Sequence, residues 1–216
     1  MKKLITYAAL LLVVAYFSYR YPWFAFLLLA LLGGMIIYML LAGTIWMWRN
    51  NLSVKRFHSP FIMLGILLTG LVIGLLRPLP DPIISSGNSS KELAHAYSTD
   101  QGDRMNLQFF VRPFHKEMRR RDSLRLEQVR EVMDKEPEFS PIDRFHAAFI
   151  LHHNPMHDSS LYEQAHSLAN KAASAPELKD NYQVQWLAKA TYDRWMLSIG
   201  RPQKYSTQGG VSFSIE

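Results

Sequence analysis

The sequence predicts an all-α membrane protein: three N-terminal transmembrane helices, then a soluble helical-bundle domain of about five helices with an irregular C-terminal tail. Three observations predict it. Residues 1–80 hold three long apolar runs and none of the chain's 18 acidic residues. A stretch rich in proline and serine follows them, and beyond it helix-capping signals recur while alternating strand patterns are scarce. The chain has 216 residues and no cysteine, which excludes a disulfide scaffold and Cys-based metal sites. The net charge of +6 suggests a nucleic-acid binder only until it is divided. Residues 1–80 carry seven of the 24 Lys and Arg residues and are therefore +7, whereas the remainder, 17 cations against 18 acids, is −1. The basicity belongs to a membrane anchor, and no nucleic-acid partner is expected.

The first span is read at 4–19, behind Met1-Lys2-Lys3. Bulky residues, Tyr16, Phe17 and Tyr19, stand where a signal peptidase needs small ones, so the span is taken as uncleaved. The second, 22–48, is uncharged for 27 residues and carries Trp23, Trp46 and Trp48 at its ends, where interfacial aromatics belong. The third, 60–76, contains Gly70 and Gly74, a small-xxx-small pair through which another helix can pack closely. With the N terminus inside, Lys2, Lys3, Arg49, Lys55 and Arg56 lie on the cytoplasmic side and Arg20 and Arg77 on the other, the arrangement the positive-inside rule favours. The C-terminal domain is thus expected outside the cytoplasm, with the lipid bilayer as the first partner.

The anchor is bounded at 1–77, followed by a linker at 78–90, where Pro78, Pro80 and Pro82 forbid a helix. The extracytoplasmic helical domain is 91–216. Its helices are expected near 89–99 and 116–135, then from the Ser140-Pro141-Ile142-Asp143 start, from the Ser160-x-x-Glu163 capping box, and from Asp180 or Asn181 up to Gly200 and Pro202. The Arg119-Arg120-Arg121 run, with Arg125 nearby, reads as a solvated basic face among Glu117, Asp122 and Glu127.

Five of the eight histidines fall between His146 and His166. His146 and His153 share a helical face but stand about 10.5 Å apart along it, too far to share a metal ion. His153 and His157 have zinc-binding spacing, but Asn154-Pro155 ends the helix between them, and H-E-x-x-H is absent. No metal or cofactor is expected. No G-x-S-x-G elbow or P-loop occurs. A general base from His153, oriented by Asp193, Asp100 or Asp143, remains open, as does an Asp193-Arg194 ion pair that clamps the tail.

Several strings together resemble a bacterial family, domain-of-unknown-function family 6624: Asp100-Gln101-Gly102-Asp103-Arg104, then Phe149-Ile150-Leu151-His152-His153, then Asp193-Arg194 and Gly200-Arg201-Pro202-Gln203-Lys204-Tyr205-Ser206-Thr207-Gln208. The resemblance covers roughly 90–208. His152 replaces the family's glutamine, and Ser206 a glycine that would suit positive φ or a close ligand approach. Carried over residue by residue, the pattern implies one site: Asp100, His153 and Asp193 as catalytic candidates, and Gln101, Arg104, Arg194, Gln203, Tyr205, Thr207 and Gln208 as ligand-binding candidates. Two readings follow. A membrane-anchored module binds a ligand or protein partner at the membrane surface, its polar set forming either a pocket or a buried network that pins the tail. Alternatively, the domain is a tethered hydrolase with His153 as general base.

Overall fold

In the computed structural model, residues 2–49, 55–136 and 138–209 are described. Among them are eight α-helices and no strand: α1 (Lys2–Arg20), α2 (Phe24–Arg49), α3 (Lys55–Leu75), α4 (Ser89–Arg104), α5 (His115–Lys135), α6 (Pro141–His152), α7 (Ser159–Ala173) and α8 (Tyr182–Ser198). Residues 50–54, in the loop expected to face the cytoplasm, and 210–216 of the tail lie outside the described set. The chain divides into two compact units, residues 1–79 with 102–114, and residues 80–101 with 115–216.

In the first unit, α1, α2 and α3 each contain a segment long and apolar enough to cross a membrane. Their lipid-type surface is explicit: Leu4, Leu12, Leu40 and Phe61 point outward, while Val14, Leu28, Ile66 and Leu67 form the small internal core. Gly70 and Gly74 serve this bundle itself. A Cβ added at Gly70 would collide with Val14 of α1 and Leu28 of α2, whereas one at Gly74 would meet Ala25 Cβ at an ordinary 3.6 Å. The close approach that the spacing allows is therefore made inside the chain. Helix α3 begins at Lys55, earlier than the expected 60, with Pro60 inside it. As the sixth residue of the helix, Pro60 lies past the first turn and removes one intrahelical backbone bond.

The expected single domain over 91–216 is divided differently, because residues 102–114 group with the membrane helices. Gln108 explains this: its side-chain amide donates to the carbonyls of Leu75 at 2.7 Å and Arg77 at 2.8 Å. These are carbonyls at the end of α3, where Pro78 stops any continuation and the last turn needs donors.

In the second unit α6 is the central helix, one flank packing with Leu93, Val129 and Leu161 and the other with Ala169, Val184 and Leu187. The caps follow local chemistry. Ser140 caps α6 through the Asp143 amide, and Asn181 caps α8 through the amides of Gln183 and Val184. Helix α7 is capped by Asp158, not Ser160: the Asp158 carboxylate accepts from the Ser160 amide and hydroxyl, both at 2.8 Å. The Pro/Ser stretch is no free linker. Arg121 donates to the Pro80 carbonyl at 2.7 Å, His95 to that of Asp81, Thr99 to that of Pro82, and Gln128 to that of Ile84. Because Pro80 and Pro82 lack an N–H, carbonyls outnumber amide donors in this segment, and side chains of α4 and α5 supply the donors.

Candidate functional site

Nine of the ten residues implied by the motifs form two constellations. The larger is a clasp on α8. Asp193, fully buried, accepts through one oxygen from the amides of Lys204 at 2.8 Å and Tyr205 at 3.0 Å. Its other oxygen takes the Thr207 amide at 2.9 Å and the Thr207 hydroxyl at 2.8 Å. Burial by itself raises the Asp193 pKa, but the donors from Thr207, Tyr205 and Lys204 outweigh it and hold the carboxyl below its usual range. Arg194 completes the clasp, donating to the Gln208 side-chain oxygen at 2.8 Å and to the His152 carbonyl at 3.0 Å. Gln208 in turn donates to the Ala190 carbonyl, and its amide to the Gln203 side chain.

A chain can wrap a carboxylate in this way only by turning sharply, and the turn is made at Ser206, whose φ is +55°. That is left-handed backbone, which favours glycine and strains serine. Ser206 therefore stands where a glycine would suit the geometry best. The geometry corrects the expectation for Asp193: with both oxygens engaged by the tail, it is a positioning group for 204–207 and does not orient His153. Arg194, Gln203, Thr207 and Gln208 likewise bind the chain itself. Tyr205 gives its amide to Asp193, while its ring lies edge-on to Tyr192 at 5.7 Å and stays partly exposed.

The second constellation is Asp100, Gln101 and His153. Asp100 is 1% exposed, and one of its oxygens accepts from His153 Nδ1 at 2.9 Å and from the Gln101 amide at 2.8 Å. A carboxylate only accepts, so this bond puts the proton of a neutral His153 on Nδ1 and makes Nε2 the basic nitrogen. His153 stands at the C-cap of α6, its backbone N–H closing the last turn and its ring packed edge-on to Phe149 at 5.1 Å. The side chain retains 18% exposure, against 1% for Asp100. A buried acid holding a solvent-reachable imidazole in one tautomer is the geometry of a general base. The two constellations touch the same helix end, since Arg194 binds the carbonyl of His152, the residue before His153. Arg104 belongs to the first unit, with its guanidinium 5.3 Å above the Phe109 ring.

His146 and His166 are packing groups. His146 stacks on Tyr97 at 4.8 Å, and His166 on Trp195 at 5.8 Å. Burial holds both below the ordinary imidazole range, opposed at His146 by Asp143 and at His166 by the Ala188 backbone. Among the described residues no group of three His, Cys, Asp or Glu side chains is placed to hold a metal ion. His153 and His157 do not pair, because α6 stops at His152 and His157 turns away at φ +55° to meet Tyr162.

Two residues outside the motif are conspicuous. Arg121 and Arg125, expected on a solvated face, are 4% and 0% exposed. Arg125 donates to the Thr99 hydroxyl and pairs with Asp122 at 2.9 Å. Their signal was the i, i+4 spacing, which continues the apolar stripe of Met118, Val129 and Val132, whereas Arg120 points outward to Glu117. Compared with family models, with curated proteins and with solved structures, the chain finds no match.

Proposed function

We propose that this is a protein of family 6624 anchored in a bacterial inner membrane by α1–α3, with its N terminus in the cytoplasm and its helical domain outside. There the domain binds a ligand or protein partner at the membrane surface. The observation that carries this reading is the engagement of Asp193: the late motif is spent on holding the tail, so Asp100, Gln101 and His153 are left as the group with recognition chemistry. Five of the seven cations of residues 1–80, Lys2, Lys3, Arg49, Lys55 and Arg56, stand at the N terminus or at the facing ends of α2 and α3, which supports the orientation.

The hydrolase reading is favoured by one observation, the Asp100–His153 bond. In that reading Nε2 takes a proton from water or a substrate hydroxyl, and Asp100 stabilises the imidazolium that forms. One experiment separates the two. Full-length protein and its His153→Ala variant are purified from cross-linked membranes and assayed against ester and phosphoester panels. The binding reading predicts a cross-linked partner lost in His153→Ala and no turnover by either protein. Turnover abolished by His153→Ala selects the hydrolase, and a variant indistinguishable from the parent in both assays overturns both readings.

A further inference from the structure

The segment between α4 and α5 has the wrong surface for a loop in water. Asn106, 2% exposed, caps a short 3-10 turn by accepting from the Gln108 amide at 3.0 Å. Val111 then extends, Pro113 restrains a second short turn, and α5 starts at His115. The polar side chains Asn106 and Gln108 point inward, whereas Met105 is 58% and Phe110 61% exposed. This inversion has a location. Gln108 is bonded to the carbonyls of Leu75 and Arg77, and the Phe110 ring stands edge-on to Phe26 at 5.8 Å. Phe26 is near the start of α2 and Leu75 is the end of α3. Gly74 packs beside Ala25 and Ser18, so these termini share one end of the three-helix bundle with the end of α1.

That end is already aromatic and cationic. Tyr19 and Trp23 are exposed there, Tyr21 and Trp23 lie 6.0 Å apart, and Arg20 sits over the Tyr21 ring. Arg77 lies close by: burial, and next the charge of Arg20, lower its pKa. Amphipathic rings and long cations are the residues that settle at the boundary between headgroups and acyl chains.

We propose that residues 105–114 are a membrane-interfacial element, seating Met105 and Phe110 in the headgroup layer at the α1–α2 end of the bundle, with exposed Arg112 at the level of the phosphates. The inference rests on the reading that α1–α3 span a bilayer. Residues 105–114 then lie in the interface plane, about 5–10 Å into the boundary, instead of crossing it. Exposed apolar surface that would favour aggregation in water is covered by lipid. Gln108 fixes the depth, because its bonds to the end of α3 hold the segment at the membrane edge.

The chain has no cysteine, so single sites can be read without background. Phe110→Cys, Met105→Cys, Leu40→Cys and Tyr182→Cys are each made in the full-length chain, spin-labelled, and reconstituted in phosphatidylcholine/phosphatidylglycerol vesicles. Collision with oxygen, enriched in lipid, is compared with collision with a water-soluble nickel chelate. Leu40, 65% exposed in mid-α2, is the lipid reference, and Tyr182, 79% exposed on α8, the aqueous one. The expected result is an oxygen-to-nickel ratio severalfold higher at positions 105 and 110 than at 182, yet below that at 40. If 105 and 110 match 182 while 40 stays shielded, the interfacial element is overturned and the spanning reading stands. If 40 is itself open to the chelate, both fall.

Discussion

Asp193 and Asp100 are both buried aspartates at the same end of one helical domain, and they differ in what they face. Asp193 meets backbone amides and a hydroxyl, none of which titrates near neutral pH, and a segment of chain that could not close without it. Asp100 meets, among its partners, the ionisable imidazole of His153 and the side-chain amide of Gln101. A carboxylate surrounded by fixed donors is a structural device, since its charge is the reason for the fold around it. A carboxylate facing a partly exposed imidazole has a movable proton one bond away. Burial and charge alone do not separate the two; the chemical kind of the donor does.

The largest effect that can break this comparison is expected from Asp193→Ala. It leaves the amides of Lys204, Tyr205 and Thr207 without an acceptor and should destabilise the domain by about 3–5 kcal/mol, since each buried donor left unpaired costs about 1–3 kcal/mol. A fall in thermal unfolding midpoint and new proteolysis after residue 200 are the readouts. Asp100→Asn is expected to cost less, about 1–2 kcal/mol, because the amide oxygen can still accept from His153 Nδ1. Equal losses for the two variants would erase the distinction.

Acid should act on the two kinds of group over different ranges. The Asp193 carboxyl has a folded pKa below its unfolded value, so its stabilisation is present above the unfolded pKa, about 3.9, and is lost as pH falls through the lower folded value. His146 and His166 are also depressed. For a base this means that the unfolded chain binds protons first, and stability declines as pH falls below about 6.5. A midpoint that declines below about 6.5, and declines less when His146→Phe and His166→Phe are combined, fits this account. A midpoint flat down to pH 4 would contradict the histidine assignment.

The smallest effect sharpens the clasp. Ser206→Gly relieves left-handed backbone at φ +55° and should stabilise the domain by about 1 kcal/mol, seen as a rise in unfolding midpoint. A loss would show that the Ser206 side chain makes a contribution of its own.

What was legible in the sequence follows the range of the interaction. The three spans, the Ser140 and Asn181 caps and the end of α6 before Asn154-Pro155 depend on neighbours within a few residues, and each element can be read locally. The capping-box match at Ser160 misplaced a helix start by two residues because Asp158, just upstream, is the stronger acceptor. Helix α4 runs to Arg104, past the expected 99 and through Gly102. Arg121 and Arg125 looked solvated because a basic run draws attention to charge, whereas their spacing follows the buried stripe. Gln108 reaching back to Leu75 and Asp100 meeting His153 link residues 33 and 53 positions apart, and no local pattern encodes either. The residue types alone offer His153 three partners, Asp100, Asp143 and Asp193, and neither that choice nor the motif resemblance tells the clasp from the pair.

Amide hydrogen exchange over residues 203–208 in the full-length chain, compared among the parent protein, Asp193→Asn and Asp100→Asn, tests the division of labour most directly. The account predicts that the amides of Lys204, Tyr205 and Thr207 are protected in the parent, lose that protection in Asp193→Asn and keep it in Asp100→Asn. Free exchange in the parent, or equal loss in both variants, would contradict it.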